Sequence, residues 1–259
     1  NIIVGYISLL KYKMSLLLKK WLGKNMLDTE GVYLVVPAYN EEKHVETVLR
    51  DISKLGYCII LVNDGSKDNT LNIARNVQKD YPNQIYIVSH VINRGLGAAL
   101  KTGMIDALKH NAKYIITFDA DGQHAFEDIP KVLKPLQEKK VDAVIGSRIF
   151  EDMPTTKRFA NNVMNILTHI FYGIKVKDSQ SGLRAFSSEA AKKIDVVSAG
   201  YGVSSEFIKE IKNNQIPFDE VPITTIYTDE TQHKGTNAIV GIKIMFKMIG
   251  DLFRWLVFA

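Results

Sequence analysis

Residues 114–124 read Tyr-Ile-Ile-Thr-Phe-Asp-Ala-Asp-Gly-Gln-His, an apolar run followed at once by two carboxylates. The run from Tyr114 to Phe118 has the length and composition of a buried strand. Residues two apart on an extended backbone point to the same side, so Asp119 and Asp121 are expected to lie together. Neighbouring carboxylates repel unless a cation lies between them, and Mg²⁺ or Mn²⁺, shared with substrate phosphates, fits such a pair. Taken alone, the same letters are also typical of an ordinary turn.

Strands and helices alternate on both sides of this stretch. Apolar runs predict strands at 32–36, 58–62, 85–89, 114–118 and 142–146, and amphipathic spacing predicts helices at 41–55, 68–79, 96–110 and 127–138. Such an alternation indicates an α/β fold with a mostly parallel sheet and helices on both faces. The second half is less regular, with predicted helices at 158–172, 187–194 and 203–214, short strands or loops around 174–186, and a strand at 218–227.

Ligands of such sheets bind beyond the carboxyl ends of the strands. That rule selects the loops that start at Pro37, Asn63, Asp119 and Gly146. The first of these loops offers an aromatic ring and a carboxylate, and the second offers Asp64. Acidic residues at three strand ends indicate a binding site more strongly than the Asp119/Asp121 pair does alone.

Charge is distributed unevenly along the chain. The net charge is +5, and residues 1–27 hold five lysines and no acid. The remaining residues hold equal numbers of basic and acidic side chains, which argues against nucleic acid as a partner. The single Cys58 excludes an intramolecular disulfide and fits a reducing compartment.

The two ends of the chain are set apart from the predicted catalytic domain, residues 32–237. Residues 1–31 form a basic, apolar segment in which lysines interrupt any spanning run, so it is interpreted as a membrane-surface segment or a non-native extension. Residues 238–259 are predicted to form an amphipathic interfacial helix. Trp255 suits the headgroup boundary of a membrane. The charged side chains of this helix would form one narrow stripe, made of Lys243, Lys247, Asp251 and Arg254.

Six ordered motifs extend the pattern: VVPAYNEE at 35–42, LVNDGSKDNT at 61–70, NRGLGAALKTGM at 93–104, DADGQH at 119–124, GSR at 146–148 and SGLRAF at 181–186. Together they resemble family-2 glycosyltransferases, and they are most similar to the dolichol-phosphate mannose or glucose synthase branch, over roughly residues 32–235. The resemblance implies a GT-A (Rossmann-like) fold and inversion at the anomeric carbon.

The resemblance also implies roles for individual residues. The donor would be held by Pro37, Tyr39, Glu41, Asp64, Asp119, Arg184 and Lys234, although the residue before Lys234 is His233 rather than the family's serine. The metal, Mg²⁺ or Mn²⁺, would be held by Asp119, Asp121 and Gln123. The catalytic group would be Asp121 with two arginines that approach the acceptor phosphate, Arg148 and Arg158. Glu206 would face the acceptor, and His124 would touch phosphate or make a structural hydrogen bond.

The expected reaction is transfer of a sugar from GDP-mannose, UDP-glucose or UDP-N-acetylglucosamine to polyprenyl or dolichyl phosphate. An anionic phosphate needs arginines rather than a general base. The enzyme is expected at the cytoplasmic face of a membrane, as a peripheral or monotopic protein. The alternatives are transfer to a glycan hydroxyl, a sugar nucleotidyltransferase, for which a basic glycine-rich loop after the first strand is missing, and a non-catalytic binding module.

Overall fold

The computed structural model describes residues 28–150, 153, 155–196 and 202–226. The chain divides into two units, residues 1–30 and 31–259, and the fold described below belongs to the second. Three predictions lie outside the described residues: the N-terminal segment up to residue 27, the role of Lys234, and the helix at 238–259.

One sheet organises the described part of the second unit. Its strands are β1 Val32–Ala38, β2 Cys58–Asp64, β3 Ile85–His90, β4 Tyr114–Thr117, β5 Ala143–Arg148, β6 Arg184–Ser187 and β7 Phe218–Ile223. The helices are α1 Val45–Lys54, α2 Thr70–Asp80, α3 Leu96–Lys109, α4 Ile129–Gln137, α5 Thr155–Tyr172, α6 Ser188–Lys193 and α7 Val203–Asn213. A short 3₁₀ turn, Phe126–Asp128, precedes α4.

The strands follow the order β3-β2-β1-β4-β6-β5-β7. All neighbours are parallel except β6, which runs antiparallel to both β4 and β5. The prediction of a mostly parallel sheet is confirmed. The insertion of β6 between β4 and β5 is new, and it pairs Arg184 with Thr117 at the carboxyl end of β4.

Two apolar cores cover the two faces of the sheet. Alternate residues of β1 supply both: Leu34 and Val36 lie in one core, and Tyr33 and Val35 lie in the other. The first core is completed by α1, α2 and α4, and the second by α3, α6 and α7. Because both faces of the sheet are buried, β1 and β2 are almost continuously apolar and do not alternate between apolar and polar residues.

Several predicted boundaries are wrong. Helix α1 begins at Val45 rather than 41, because the amides of His44 and Val45 both bond to the carbonyl of Glu41 in a turn. Helix α2 begins at Thr70, and the Asp68 carboxylate accepts the Thr70 N–H at 3.0 Å from just outside the helix. Helix α5 begins earlier than predicted, and β7 ends at Ile223 instead of 227.

Candidate functional site

The carboxyl ends of β1, β2 and β4 meet at a cleft of about 440 Å³. Because neighbouring parallel strands end at the same edge of a sheet, residues far apart in sequence meet here. Six residues that the sequence predicted as donor or metal ligands line the cleft together: Pro37, Tyr39, Glu41, Asp64, Asp119 and Asp121.

A larger cavity of about 890 Å³ lies at the opposite edge of the sheet. It is lined by the amino ends of β4 and β5 and by lysines such as Lys113 and Lys140, and it contains none of the predicted site residues. Volume alone therefore does not select the functional site. The concentration of acidic groups at the strand ends does.

Asp64, at the carboxyl end of β2, holds the loop that forms one side of the cleft. Its buried carboxylate accepts the backbone N–H groups of Arg94 at 2.9 Å and Gly95 at 2.8 Å, and it lies 2.6 Å from His90 Nδ1. The other ring nitrogen of His90 lies 3.0 Å from Thr102 Oγ1. Asp64 thus anchors the loop that begins α3. Its predicted contact with the nucleoside stays a prediction, and the anchoring role of His90 was not predicted.

Tyr39 stands at the rim of the cleft with 40% of its surface exposed. The loop that carries it is tied to the loop after β2, since Glu41 N–H donates to Thr70 Oγ1 at 2.8 Å and Lys67 N–H donates to Asn40 Oδ1 at 2.8 Å. Asn40 itself adopts a positive φ of 55°. These hydrogen bonds hold the loop of Tyr39 in place, and its ring lines the cleft with Asp64 and Asp119.

Asp119 is held in an ionised state. His124 Nε2 lies 3.1 Å from its Oδ2, and Gly182 approaches the same oxygen so closely that a Cβ there would overlap it. Burial opposes ionisation, but the His124 hydrogen bond and the charges of His124, Arg184 and Arg148 together hold the pKa of Asp119 below its usual value. Of the two roles left open for His124, the structure shows the hydrogen bond.

The pKa of Asp121 shifts in the opposite direction from that of Asp119. Burial and the neighbouring charge of Asp119 raise its pKa, against the hydrogen bonds from Gln123. The Gln123 backbone N–H donates to Oδ1 at 3.0 Å, and its side-chain amide donates to Oδ2. Gln123 therefore orients Asp121 here, and its role as a metal ligand stays a prediction. Repulsion between the two carboxylates is the condition that a divalent cation would relieve.

The carboxylates of Asp119 and Asp121 are suited to bind Mg²⁺ or Mn²⁺ together with a substrate phosphate. Within the described ranges, no three His, Cys, Asp or Glu side chains are grouped so that they alone could hold a metal ion. Asp119 and Asp121 would supply two carboxylates to such an ion, and diphosphate oxygens and water would complete its coordination. That division is typical of magnesium sites that also bind phosphates.

Arg184 lies behind Asp119 rather than in the open cleft. Its side chain is 2% exposed, and its guanidinium carbon lies 4.9 Å from the centre of the Phe207 ring. Burial lowers its pKa to about 10, with Asp119 and Asp178 opposing that effect, so it stays charged at neutral pH. Its Nε and Nη2 atoms have no hydrogen-bond partner in the part of the chain described. Direct contact with donor phosphate stays a prediction and would require Arg184 to move.

A second set of residues lies beyond β5. Arg148 makes a two-pronged ion pair with Asp178, at 2.6 Å from Nε and 2.9 Å from Nη2. Its Nη2 also lies 3.3 Å from Asn161 Oδ1 on α5. Arg158 is exposed on α5 three residues before Asn161, which places it about one helical turn away. The structure thus brings the helix of Arg158 to Arg148, and the role of the two arginines at an acceptor site stays a prediction.

Sequence reasoning missed several members of this second set. Asp178 and Asn161 belong to stretches that carry no recognisable motif, and only their contacts with Arg148 identify them. Lys157 is half-buried, and burial and Arg148 lower its pKa while Asp121 opposes them, which puts it near both the arginine and the acidic cleft. Glu206 lies in the first turn of α7, and its contact with the acceptor stays a prediction.

Seven strands in this order, with a paired-carboxylate cleft at the ends of β1, β2 and β4, define a GT-A-like α/β protein. Glucosyl-3-phosphoglycerate synthase from Mycobacterium tuberculosis, solved with Mn²⁺, UDP and glucosyl-3-phosphoglycerate, has the same fold. The TM-score is 0.63 at 20% identity, and the alignment covers 85% of this chain and 78% of that one.

Residues 33–195 match the model of Glycosyl transferase family 2, and the chain belongs to that family. The UDP-N-acetylglucosamine–dolichyl-phosphate N-acetylglucosaminyltransferase of Methanococcus voltae is 38% identical, covering 84% of this chain and 94% of that protein. The polyprenol monophosphomannose synthase of Mycolicibacterium smegmatis is 27% identical, covering 76% of this chain and 77% of the other. These two relatives are named for different sugars and for acceptors of one kind, a polyprenol-type lipid.

Proposed function

We propose that this chain is an inverting, metal-dependent hexosyltransferase that moves a sugar from a nucleotide-sugar to polyprenyl or dolichyl phosphate. The donor is GDP-mannose, UDP-glucose or UDP-N-acetylglucosamine. One observation carries the proposal: the loop before β6 joins the acidic cleft to the Arg148 site, since Asp178 binds Arg148 and Gly182 packs against the Asp119 carboxylate. A leaving diphosphate and an anionic acceptor would therefore meet between them.

The donor half of the reaction is supported by the residues of the cleft. Tyr39 offers its exposed face to the nucleoside, and Asp119 and Asp121 offer carboxylate oxygens to a cation. A bound divalent ion offsets the charge that builds on the departing nucleoside diphosphate. Asp119 is kept ionised by His124 and the two arginines, so it is ready to bind a cation at neutral pH.

The acceptor half is supported by its charge. A lipid phosphate is already anionic, so the site must orient it rather than remove a proton. Arg148 and Arg158 supply positive groups, and guanidinium matches phosphate geometry. Asp178, the carboxylate that binds Arg148, is fully buried and already accepts hydrogen bonds, which does not suit a base for a sugar hydroxyl. The names of two relatives, which refer to dolichyl phosphate and to a polyprenol, favour a phosphate acceptor over a glycan hydroxyl.

Helix α5 provides a surface for the membrane in which such an acceptor lies. Its outer face exposes Phe159 by 72%, Ile166 by 59% and Ile170 by 66%, in one stripe at helical spacing. Its inner face buries Asn161 and Met164. None of the described helices is both long and apolar enough to cross a bilayer. A stripe that begins beside Arg158 suits contact with the surface of the membrane, which we propose to be its cytoplasmic face.

The test is a transfer assay with the full chain in vesicles that contain a polyprenyl phosphate. Each of the three nucleotide-sugars is supplied with Mn²⁺, with Mg²⁺ or with EDTA, and the lipid product is analysed by mass spectrometry. One donor should give a glycosyl-phosphoryl-lipid of inverted configuration, and EDTA should abolish it. Matched vesicles with the free polyprenol are the control, because a site built for phosphate should not use them. Equal transfer to the free alcohol would contradict the proposed acceptor.

A further inference from the structure

Asp178 is the most completely enclosed charged group beside the acceptor arginine. It lies in the loop between α5 and β6 with none of its side chain exposed. Its Oδ2 accepts from Arg148 Nε at 2.6 Å and from the Arg148 backbone N–H at 3.1 Å. Its Oδ1 accepts from Arg148 Nη2 at 2.9 Å and from Gln180 N–H at 3.1 Å. Four donors thus hold one carboxylate.

This contact fixes both the position and the plane of the guanidinium. A two-pronged pair allows little rotation, whereas a single contact would leave the side chain free to swing. Burial opposes ionisation of Asp178, but the charge and hydrogen bonds of Arg148 hold its pKa below the usual value. The carboxylate is therefore a permanent partner at neutral pH. The Arg148 side chain remains 21% exposed, so part of it is accessible while held.

The same loop also supports the metal side of the cleft. Gly182 packs against the Asp119 carboxylate, and its carbonyl accepts the Thr117 hydroxyl at 2.6 Å. Residues 178–182 thus touch Arg148 at one end and Asp119 at the other. In the proposed reaction these two contacts would set the spacing between the leaving group and the incoming phosphate, and misplacement by about 1 Å is enough to slow a reaction strongly.

We propose that Asp178 is a positioning residue, which holds the Arg148 guanidinium in the orientation that receives the acceptor phosphate. The assignment rests on the proposed function, because it needs a phosphate acceptor at Arg148. It differs from a purely structural ion pair in what it predicts. Loss of a structural pair lowers stability and all activities together, whereas loss of positioning affects acceptor use and leaves donor binding intact.

The experiment compares wild type, D178N, R148A, R148A/D178N and the control D195N in the vesicle assay. Asp195 is an exposed carboxylate paired with Lys101, so it matches the chemical change at a distant site. D178N keeps the shape of the side chain and removes its charge. We expect its KM for polyprenyl phosphate to rise about tenfold and kcat to fall about tenfold or more. Donor and Mn²⁺ affinities, measured by calorimetry, should stay within about twofold, as in D195N.

The double variant tests whether Asp178 acts through Arg148. R148A/D178N should be no worse than R148A, because without the arginine there is nothing to position. A further tenfold loss in the double variant, or equal losses of donor and acceptor binding in D178N, would overturn the assignment. If D178N does not fold, D178E takes its place, because it keeps the ion pair while shifting the guanidinium. A raised acceptor KM with unchanged donor affinity in D178E supports positioning, and an unchanged acceptor KM overturns it.

The wild-type result separates the two proposals. If the wild type transfers no sugar to any polyprenyl phosphate, the proposed function fails and the assignment of Asp178 falls with it. If the wild type transfers normally and D178N keeps its acceptor KM, only the assignment of Asp178 fails.

Discussion

The acidic cleft and the Arg148 site, which we propose to bind the donor and the acceptor, are built in different ways. The cleft consists of three short loops that each follow a buried strand, so the sheet alone brings Tyr39, Asp64 and Asp119 together. The acceptor site depends on a single ion pair between Arg148 at the end of β5 and Asp178 thirty residues later. Its third element, α5, turns an apolar face outward. The proposed donor site is therefore fixed by the core, whereas the proposed acceptor site is fixed by a few buried polar contacts among a strand end, a loop and α5.

The largest effect is expected at the paired carboxylates. D121N should lower kcat by about 10²-fold or more, because the transition-state charge on the diphosphate would lose its cation. Thermal unfolding should barely change, since the residue lies at a strand end. Steady-state transfer with Mn²⁺ measures the loss, and D195N is the control. Full activity of D121N in the presence of EDTA would exclude the metal role.

The second-largest effect is expected at Gly182, which lies between the acidic cleft and the Arg148 site. G182A introduces a Cβ that would overlap Asp119 Oδ2 and lie 3.0 Å from His124 Nε2. Displacing a ligand through its support typically lowers metal affinity by about 10- to 100-fold. Calorimetric titration with Mn²⁺ measures it. The matched comparison is D119N with D119N/G182A, which should agree, and a large further loss in the double variant would show that Gly182 acts elsewhere.

A loss confined to one substrate is expected for R158A. The side chain is exposed on α5, so its contact with a lipid phosphate is near the lower end of charge-assisted hydrogen bonds, and the acceptor KM should rise about tenfold. Donor affinity, measured by calorimetry, should not change. R158K tests geometry, because it keeps the charge without the fork. Loss of donor affinity with unchanged acceptor KM would show that Arg158 is misassigned.

The outer face of α5 should contribute to membrane binding rather than to chemistry. F159E/I170E should lower the partition coefficient to anionic vesicles roughly tenfold, equivalent to about 1.4 kcal/mol, because two exposed apolar side chains lose their contact with lipid. Sedimentation with vesicles measures it. I105E places one such charge on an exposed isoleucine of α3 and should bind normally. If F159E/I170E sediments fully while deletion of residues 239–259 releases the protein, the C-terminal segment is the anchor.

The smallest effect is a pH dependence of stability. An aspartate whose pKa is lower in the folded chain than its unfolded value of about 3.9 stabilises the fold above that value, and the stabilisation is lost as pH falls through the folded pKa. Asp178 is such a group. The free energy of unfolding of wild type should therefore exceed that of D178N at pH 7, and the gap should narrow towards pH 3. Urea titrations at both pH values measure it, and a constant gap would contradict the ionised pair.

Local sequence patterns were enough to predict β1 to β5 and the acidic cleft at their ends. Apolar runs of strand length separated by helical patterns sufficed for β1 to β5, and the rule that ligands lie at strand ends selected Tyr39, Asp64 and Asp119. These inferences succeed because they depend on local patterns and on the common direction of parallel strands. The match to family 2 confirms the resemblance that the motifs indicated.

The contacts between residues that are distant in sequence were revealed only by the folded structure. Short strands or loops were predicted around 174–186, but the sequence did not show that β6 pairs antiparallel with both β4 and β5 and places the buried Arg184 beside Thr117 at the end of β4. Likewise, nothing in the sequence around Asp178 shows that it binds Arg148. Ion pairs and close approaches of this kind join residues by position in space, and one sequence contains no periodic signal for them. The physical reason is that hydrophobic patterning specifies which face is buried, whereas the partner of a buried charge is specified only once the chain has folded.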